Sequence, residues 1–197
     1  MRSLALAFFL VASSACADEA VPVCFNYGCQ TEQEVTFSED QLSWIQEMLA
    51  AATTAERERR WLALAIGQLY GWAGRQSPIW RDRGGNYADE GLPGTMDCID
   101  HSTTTTRFLH MLERRGWLRY HRVLEPVWRR KFLILQHESA LIEALPGEEG
   151  QAVNAAGSDA ANMSPQRFVV DSWFVDNGRP AVVLPLEEWL KWGGPGV

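Results

Sequence analysis

Cys98 stands at the head of a helical pattern, in Gly94-Thr95-Met96-Asp97-Cys98-Ile99-Asp100-His101, and that pattern continues to Arg115. Two apolar, extended segments follow, one carrying His137 and the other ending in Asp171. A thiol, an imidazole and a carboxylate are the parts that nucleophilic catalysis by cysteine requires. The sulfur attacks as thiolate, the ring takes its proton, and the acid orients the ring. An unperturbed cysteine has a pKa of about 8.5, so its thiolate needs help at neutral pH. A helix start supplies free N–H groups and the positive end of the dipole, and a nearby imidazolium adds an ion pair. Asp97 and Asp100 oppose both, unless Asp97 caps the helix and points away. The expectation is a thiol held ionised at the helix start.

Four histidines compete for the role of base. His110 lies about three turns along the helix from Cys98, too far to reach it. His101 is one turn on and is a rival. His121 lies between Tyr120 and Arg122 in an extended stretch. His137 follows Phe132-Leu133-Ile134-Leu135-Gln136, a run apolar enough for the interior of a sheet. Asp171 ends an equally apolar run, Phe168-Val169-Val170, where an unpaired carboxylate would be costly to bury. An adjacent-strand pairing of His137 with Asp171 answers both problems. Asp97, Cys98, Asp100 and His101 also read as a cluster of metal ligands, but one short cluster lacks the spaced ligand pairs of a structural zinc site. The expectation is a site with no metal and no cofactor.

The remaining cysteines speak to compartment. Arg2, the apolar stretch Leu4 to Ala12 and Ala15-Cys16-Ala17 have the form of a secretory signal, residues 1–17, cleaved after Ala17. The apolar stretch is shorter than the roughly 20 residues that span a bilayer, so no transmembrane segment is expected. An alternative makes Cys16 a lipid anchor, although Ser13 is an unusual residue three positions before it. In the mature chain Cys24 and Cys29 flank Phe25-Asn26-Tyr27-Gly28, a turn-forming sequence, and an oxidising compartment favours their pairing. Cys98 is then the odd thiol, to be explained by intermolecular pairing or by reactivity. Periplasmic or secreted location is the expectation.

The chain has 197 residues and a formal net charge of −7, becoming about −8 on cleavage. An acidic chain without Lys/Arg clusters argues against nucleic acid or an anionic lipid surface as partner. Nine tryptophans are scattered along it, which favours core packing over a single aromatic groove.

The elements that would position these residues can be read from periodicity. Residues 18–37 read as an irregular lead-in pinned by the disulfide. Ser38-Glu39-Asp40-Gln41 fits a capping box before Leu42, Ile45 and Leu49, and Thr53-Thr54-Ala55-Glu56 opens a longer helix through Trp72, ended by Gly74. Residues 75–96 form a long loop rich in Gly, Arg, Asp and Pro, of the kind that is often functional. The cysteine helix should run from about Asp97 to Arg115, with Gly116 as its C-cap. Its Ser102-Thr103-Thr104-Thr105-Thr106 interior has poor helix propensity, so tertiary contacts must hold it. Strands are expected at Leu118 to Leu124, at Lys131 to Leu145 with a turn or bend, at Arg167 to Phe174 and at Ala181 to Leu184. Residues 146–166 read as a mobile surface connection, and Leu186 to Trp192 as a terminal helical turn. Residues 18–197 make one domain with a substantial core.

In that order these segments resemble the core of the transglutaminase-like cysteine peptidase superfamily over roughly residues 95–175. Asp97-Cys98-Ile99-Asp100 and a helix ending in Arg114-Arg115-Gly116-Trp117-Leu118-Arg119-Tyr120 resemble its nucleophile element. Gln136-His137-Glu138-Ser139-Ala140-Leu141-Ile142-Glu143 is similar to its His strand, and Arg167-Phe168-Val169-Val170-Asp171 to its Asp strand. Ser172-Trp173 departs from the Pro that the family often places after its Asp, and the last inter-strand connection is longer than usual. The resemblance implies an α+β, papain/transglutaminase-like fold with N-terminal helices and a cysteine helix packed on an antiparallel sheet. It implies Cys98 as nucleophile, His137 as base and Asp171 as orienting acid. The implied activity is amide hydrolysis or acyl transfer on a peptide or protein of the cell envelope. The Cys98 N–H is the expected oxyanion donor, with Asn86 as the candidate for a second. The alternative is a periplasmic binding or scaffold module that keeps the fold without turnover.

Overall fold

The computed structural model describes residues 18–85, 88–131, 135–146 and 165–194. The signal and lipid-anchor segment, Asn86 and nearly all of the 146–166 connection lie outside them.

The lead-in is not irregular. β1 (Glu19–Phe25) and β2 (Thr31–Phe37) form an antiparallel hairpin with Cys24 opposite Glu32, and the Cys24–Cys29 disulfide closes its loop. The hairpin escapes a periodicity reading because Val35 and Phe37 are the only large apolar residues of β2. Its turn is also unusual, with Asn26, Tyr27, Gly28 and Cys29 all at positive φ. Three of these are not glycine, so the left-handed path has to be imposed by its surroundings.

α1 (Glu39–Ala50) starts on the expected Ser38–Gln41 capping box and buries Leu42, Ile45 and Leu49. α2 (Ala55–Gly74) is capped by Thr54. α3 (Cys98–Arg114) is capped by Asp97 and ends where Gly116, at φ +71, lets Trp117 N–H reach the Leu112 carbonyl and Gly116 N–H the Glu113 carbonyl. Its threonine-rich interior is held from both sides. Thr104 Oγ1 accepts from the Cys24 N–H of the hairpin, and Thr105 shares a hydrogen bond with the Tyr70 hydroxyl of α2.

The main sheet is β3 (His121–Lys131), β4 (Leu135–Ala144), β5 (Arg167–Asp171) and β6 (Val182–Pro185), antiparallel and in that order. The architecture is therefore α+β. β3 starts later and runs further than expected, because it passes Pro126 through a register shift between Leu124 and Val127. A proline ends a simple alternation pattern but is accommodated at a bulge. The expected Lys131–Leu145 strand is likewise divided, with Lys131 closing β3 and Leu135–Ala144 forming β4.

Strand alternation builds two cores. Ala140, Ile142, Phe168 and Val170 pack with Phe108, Leu109 and Leu112 of α3. On the other face Leu141 and Val169 meet Trp173, Phe174 and Trp189, the last from the short α4 (Leu186–Leu190). The core-packing expectation fits Trp72, Trp173 and Trp189, whereas Trp44, Trp80 and Trp128 are exposed. Among the described residues no helix is long and apolar enough to cross a membrane.

Candidate active site

β4 and β5 bring His137 and Asp171 together. In the antiparallel register Ala140 faces Val170, which places Asp171 across from Ser139 and diagonal to His137 on the same face of the sheet. Asp171 Oδ2 accepts from His137 Nε2 at 2.7 Å and from the Trp189 indole N–H at 2.9 Å, while Oδ1 accepts from the Trp173 N–H at 3.2 Å. Both side chains are buried, and the imidazole is walled by the rings of Trp173, Phe174 and Trp189 with centroids 4.8, 5.5 and 5.7 Å away. The carboxylate is thus fully engaged, as its burial demands. Because it occupies Nε2, ring Nδ1 is the nitrogen left to handle a substrate or thiol proton.

Cys98 enters where β5 stops. Even-numbered residues of β4 turn their N–H groups toward β5, as Ala144 does in donating to the Gln166 carbonyl at 2.8 Å. β5 ends at Asp171, so the Glu138 N–H has no strand partner at its level. That N–H lies close enough to the Cys98 sulfur to favour the ionised form of the thiol. The half-buried thiol therefore sits in a notch at the sheet edge, against the peptide of the residue that follows His137. Among the described residues no hydrogen bond joins that sulfur to the His137 ring, whose bond is to Asp171. Cys98 is the free cysteine among the described residues.

The helix start is locked to the disulfide loop. Asp97 Oδ1 caps the Ile99 and Asp100 N–H groups while its Oδ2 accepts from Gly28 N–H at 3.0 Å. Asp100 accepts from the N–H groups of Tyr27 at 2.8 Å and Cys29 at 2.7 Å. These bonds hold the left-handed turn, so the two aspartates around Cys98 build structure. The first intrahelical bond runs from the His101 N–H to the Asp97 carbonyl. Among the described residues, the Cys98 N–H is thus the first-turn donor that no group takes, and it is free to receive a developing oxyanion.

The electrostatics differ from the expectation of a lowered thiol pKa. Burial, reinforced by the carboxylates of Asp97, Glu138 and Asp171, pushes the Cys98 thiol up to about 11, and the Glu138 N–H offsets only part of this. The helix start cannot win because Asp97 consumes two of its N–H groups. Asp100 is raised to about 6 by burial and by Asp97, despite its own N–H donors. Burial also raises the Glu138 carboxyl, which accepts from the Ser102 hydroxyl at 2.8 Å on the α3 side of the sheet.

The rival histidines are engaged elsewhere. His101 lies between Asp82 Oδ2 at 3.0 Å and Ser172 Oγ at 2.8 Å, so Asp97, Asp100 and His101 are directed to separate partners and do not converge. His121 pairs with buried Glu58 at 2.9 Å, and His110 with Glu113 at 3.0 Å on its own helix. Trp189 and Arg129 carry weight that sequence reading missed. Arg129 stands directly across from His137, stacks between Trp189 and Trp192, and donates to the carbonyls of Trp189 and Gly193. It thereby anchors the short helix that delivers the indole to Asp171. No local pattern signals a contact that depends on two elements so distant in sequence. A depression of about 400 Å³ lined by Arg81, Arg83, Asp89, Leu92, Pro93 and Thr95 opens in the loop just before the helix start.

Comparison with protein-family models, curated proteins and solved structures finds no match for this chain.

Proposed function

We propose that this protein is a thiol-dependent amide hydrolase or acyl transferase of papain/transglutaminase-like fold, acting on a peptide or protein of the cell envelope through Cys98, His137 and Asp171. The observation that carries the reading is the 2.7 Å His137–Asp171 bond beside the notch that holds the thiol. The reading places the protein outside the cytoplasm, where the Cys24–Cys29 disulfide is at home.

In this reading the sulfur leaves the Glu138 N–H and meets ring Nδ1, passing its proton to His137 as it attacks a substrate carbonyl carbon. The carbonyl oxygen gathers the negative charge and accepts the Cys98 N–H. Collapse of the tetrahedral species breaks the C–N bond, and the departing amine takes the proton from His137. The thioester then reacts with water or a second amine, which gives its proton to the same nitrogen. Asp171 keeps the ring in one tautomer and balances the charge the ring acquires. Because the resting thiol is pushed up, the nucleophile is made at the moment of transfer and is not stored as a free thiolate.

One observation favours the alternative of a binding or scaffold module, namely that same raised thiol. The two separate in one experiment. Mature protein is incubated with a cell-envelope peptide extract, quenched in acid and weighed intact, with and without a small primary amine. Turnover predicts a thioester adduct on Cys98 that is absent from Cys98→Ala, and its fragment identifies the substrate. Shortening of the adduct's lifetime by the amine marks a transferase. Folded wild-type protein that acquires no adduct and cleaves no peptide is a scaffold.

A further inference from the structure

A second buried histidine–carboxylate pair lies one helical turn from Cys98, and nothing in the mechanism above uses it. Asp82 Oδ1 accepts from the Met96 N–H at 2.9 Å, two residues before the nucleophile. Its Oδ2 meets His101 Nε2 at 3.0 Å, three residues after it. His101 Nδ1 meets the hydroxyl of Ser172 at 2.8 Å, and Ser172 directly follows Asp171. Ser172 continues to Thr105 at 2.9 Å, Thr105 to the Tyr70 hydroxyl at 3.0 Å, and that hydroxyl to the His101 carbonyl at 3.1 Å. Asp82, His101 and Ser172 are all buried. Ser172, which would have to be the nucleophile, is itself buried, whereas Cys98 is half-buried, so the trio is not a second Ser–His–Asp nucleophile.

We propose that Asp82, His101 and Ser172 are positioning residues that brace the Cys98 helix start against the Asp171 end of β5. The proposal rests on the Cys98–His137–Asp171 reading and deepens it. A notch at a sheet edge confines the sulfur on one side only. The carboxylate of Asp82 grips the chain on both sides of Cys98, and the imidazole passes that grip to the residue beside Asp171. Displacements of about an ångström at such a site cost large factors in rate. The hydrogens close in one direction when His101 carries both ring protons. It donates to Asp82 and Ser172, Ser172 to Thr105, Thr105 to Tyr70, and Tyr70 back to the His101 carbonyl. Burial alone would lower the His101 pKa, but the Asp82 carboxylate outweighs it and raises it, with Asp171 and Asp100 adding to the effect. Titratable groups face the ring from each packed element: Asp82 from the loop, Asp100 on its own helix, Asp171 from β5, and Tyr70 from α2 with ring centroids 5.7 Å apart.

The test is the rate of Cys98 alkylation by iodoacetamide across pH, read by peptide mass spectrometry alongside thermal denaturation. His101→Gln keeps a donor toward Asp82 and an acceptor toward Ser172 but removes the charge. The expected result is labelling at least fivefold slower at pH 7, with the midpoint of the profile moved upward. Ser172→Ala, which cuts the link to β5, slows labelling by a similar factor. His121→Gln disturbs the equally buried Glu58 pair elsewhere in the fold. It lowers the melting temperature but leaves the labelling profile within twofold of wild type, as a merely structural role would. Profiles of His101→Gln and Ser172→Ala that superpose on wild type overturn the brace, as does His121→Gln slowing labelling equally. If His101→Gln does not fold, Ser172→Ala alone decides. His137→Ala separates the layers: if it slows labelling and the brace variants do not, only the brace fails; if it leaves labelling unchanged, the site reading and the brace fall together.

Discussion

Replacing Asp171 with asparagine puts the buried acid to a sharp test, because its two oxygens serve three donors. Oδ2 takes His137 Nε2 and the Trp189 indole, and Oδ1 takes the Trp173 N–H. Asparagine supplies one oxygen and one NH₂, and neither orientation fits. With the oxygen toward His137 and Trp189, the NH₂ confronts the Trp173 N–H and one buried donor is orphaned. Turned over, the NH₂ confronts the Trp189 indole and forces His137 to accept at Nε2, which puts its proton on Nδ1, the wrong side for taking one from Cys98. An orphaned buried donor costs about 1–3 kcal/mol, and exchanging a charge-assisted bond for a neutral one about 1 kcal/mol more. We therefore expect Asp171→Asn to lose about 2–4 kcal/mol in urea unfolding followed by tryptophan fluorescence. Cys98 alkylation at pH 7 should fall at least tenfold, the equivalent of about 1.4 kcal/mol. Stability within about 0.5 kcal/mol of wild type together with unchanged labelling would refute the reasoning, since surface substitutions change no more than that.

Other expectations follow from the helix start and its supports. Replacing Cys24 and Cys29 with serine opens a loop whose ends are 5 residues apart in sequence, and the chain-entropy relation gives a loss of about 2 kcal/mol in denaturant unfolding. Because Asp97 and Asp100 hold that loop, amide exchange at 97–101 should accelerate with it; unchanged exchange would mean that the clasp does not couple the two. Gly94 lies at φ +88, and a Cβ there would sit 2.3 Å from the Pro78 carbonyl oxygen, so Gly94→Ala should destabilise by about 3 kcal/mol; a melting temperature equal to wild type would contradict this. His101 has its folded pKa raised by Asp82 above the unfolded value, which is about 6.5. The stability it contributes is complete below that value and is lost as pH rises through the folded pKa. The stability advantage of wild type over His101→Gln should therefore shrink as pH climbs above about 6.5, and an advantage that grows would reverse the assigned sign. Asp100 is raised from 3.8 to about 6 and acts with the same sign, its contribution falling away between those values.

Much of this fold could be read from local chemistry. The Ser38 capping box, the Thr54 cap, the Asp97 cap and Gly116 bracket three helices within a residue or two of where they lie, because caps are local bargains between a side chain and the next few N–H groups. The hairpin was illegible because its turn depends on carboxylates some 70 residues away, as the Tyr27–Asp100 and Cys29–Asp100 bonds show. β3 was misjudged where Pro126 interrupts alternation without ending the strand. At the candidate site, the His137–Asp171 contact followed from two apolar strands each carrying one polar residue that needed a partner. The thiol environment did not follow. The sequence shows a helix start beside Cys98 but not that Asp97 uses up its donors, nor that the sulfur would be buried in a notch left by β5. His101 looked like a rival base for want of any sign that Asp82 and Ser172 enclose it.

The most direct measurement is the pH profile of Cys98 alkylation in wild type and His137→Ala. Left to itself, a thiol pushed up to about 11 is ionised to about one part in 10⁴ at pH 7, against about one in 30 for an ordinary thiol. The greater intrinsic nucleophilicity of the more basic sulfur recovers roughly 10–20-fold, so the net handicap is about 20–30-fold. The account predicts a His137→Ala profile that shows this handicap and keeps rising past pH 9. Wild-type labelling at pH 7 is expected to be at least about 20-fold faster, because His137 takes the thiol proton as the sulfur attacks. A wild-type curve that coincides with the His137→Ala curve would mean that the ring does not reach the sulfur, and the proposed catalytic site would be contradicted.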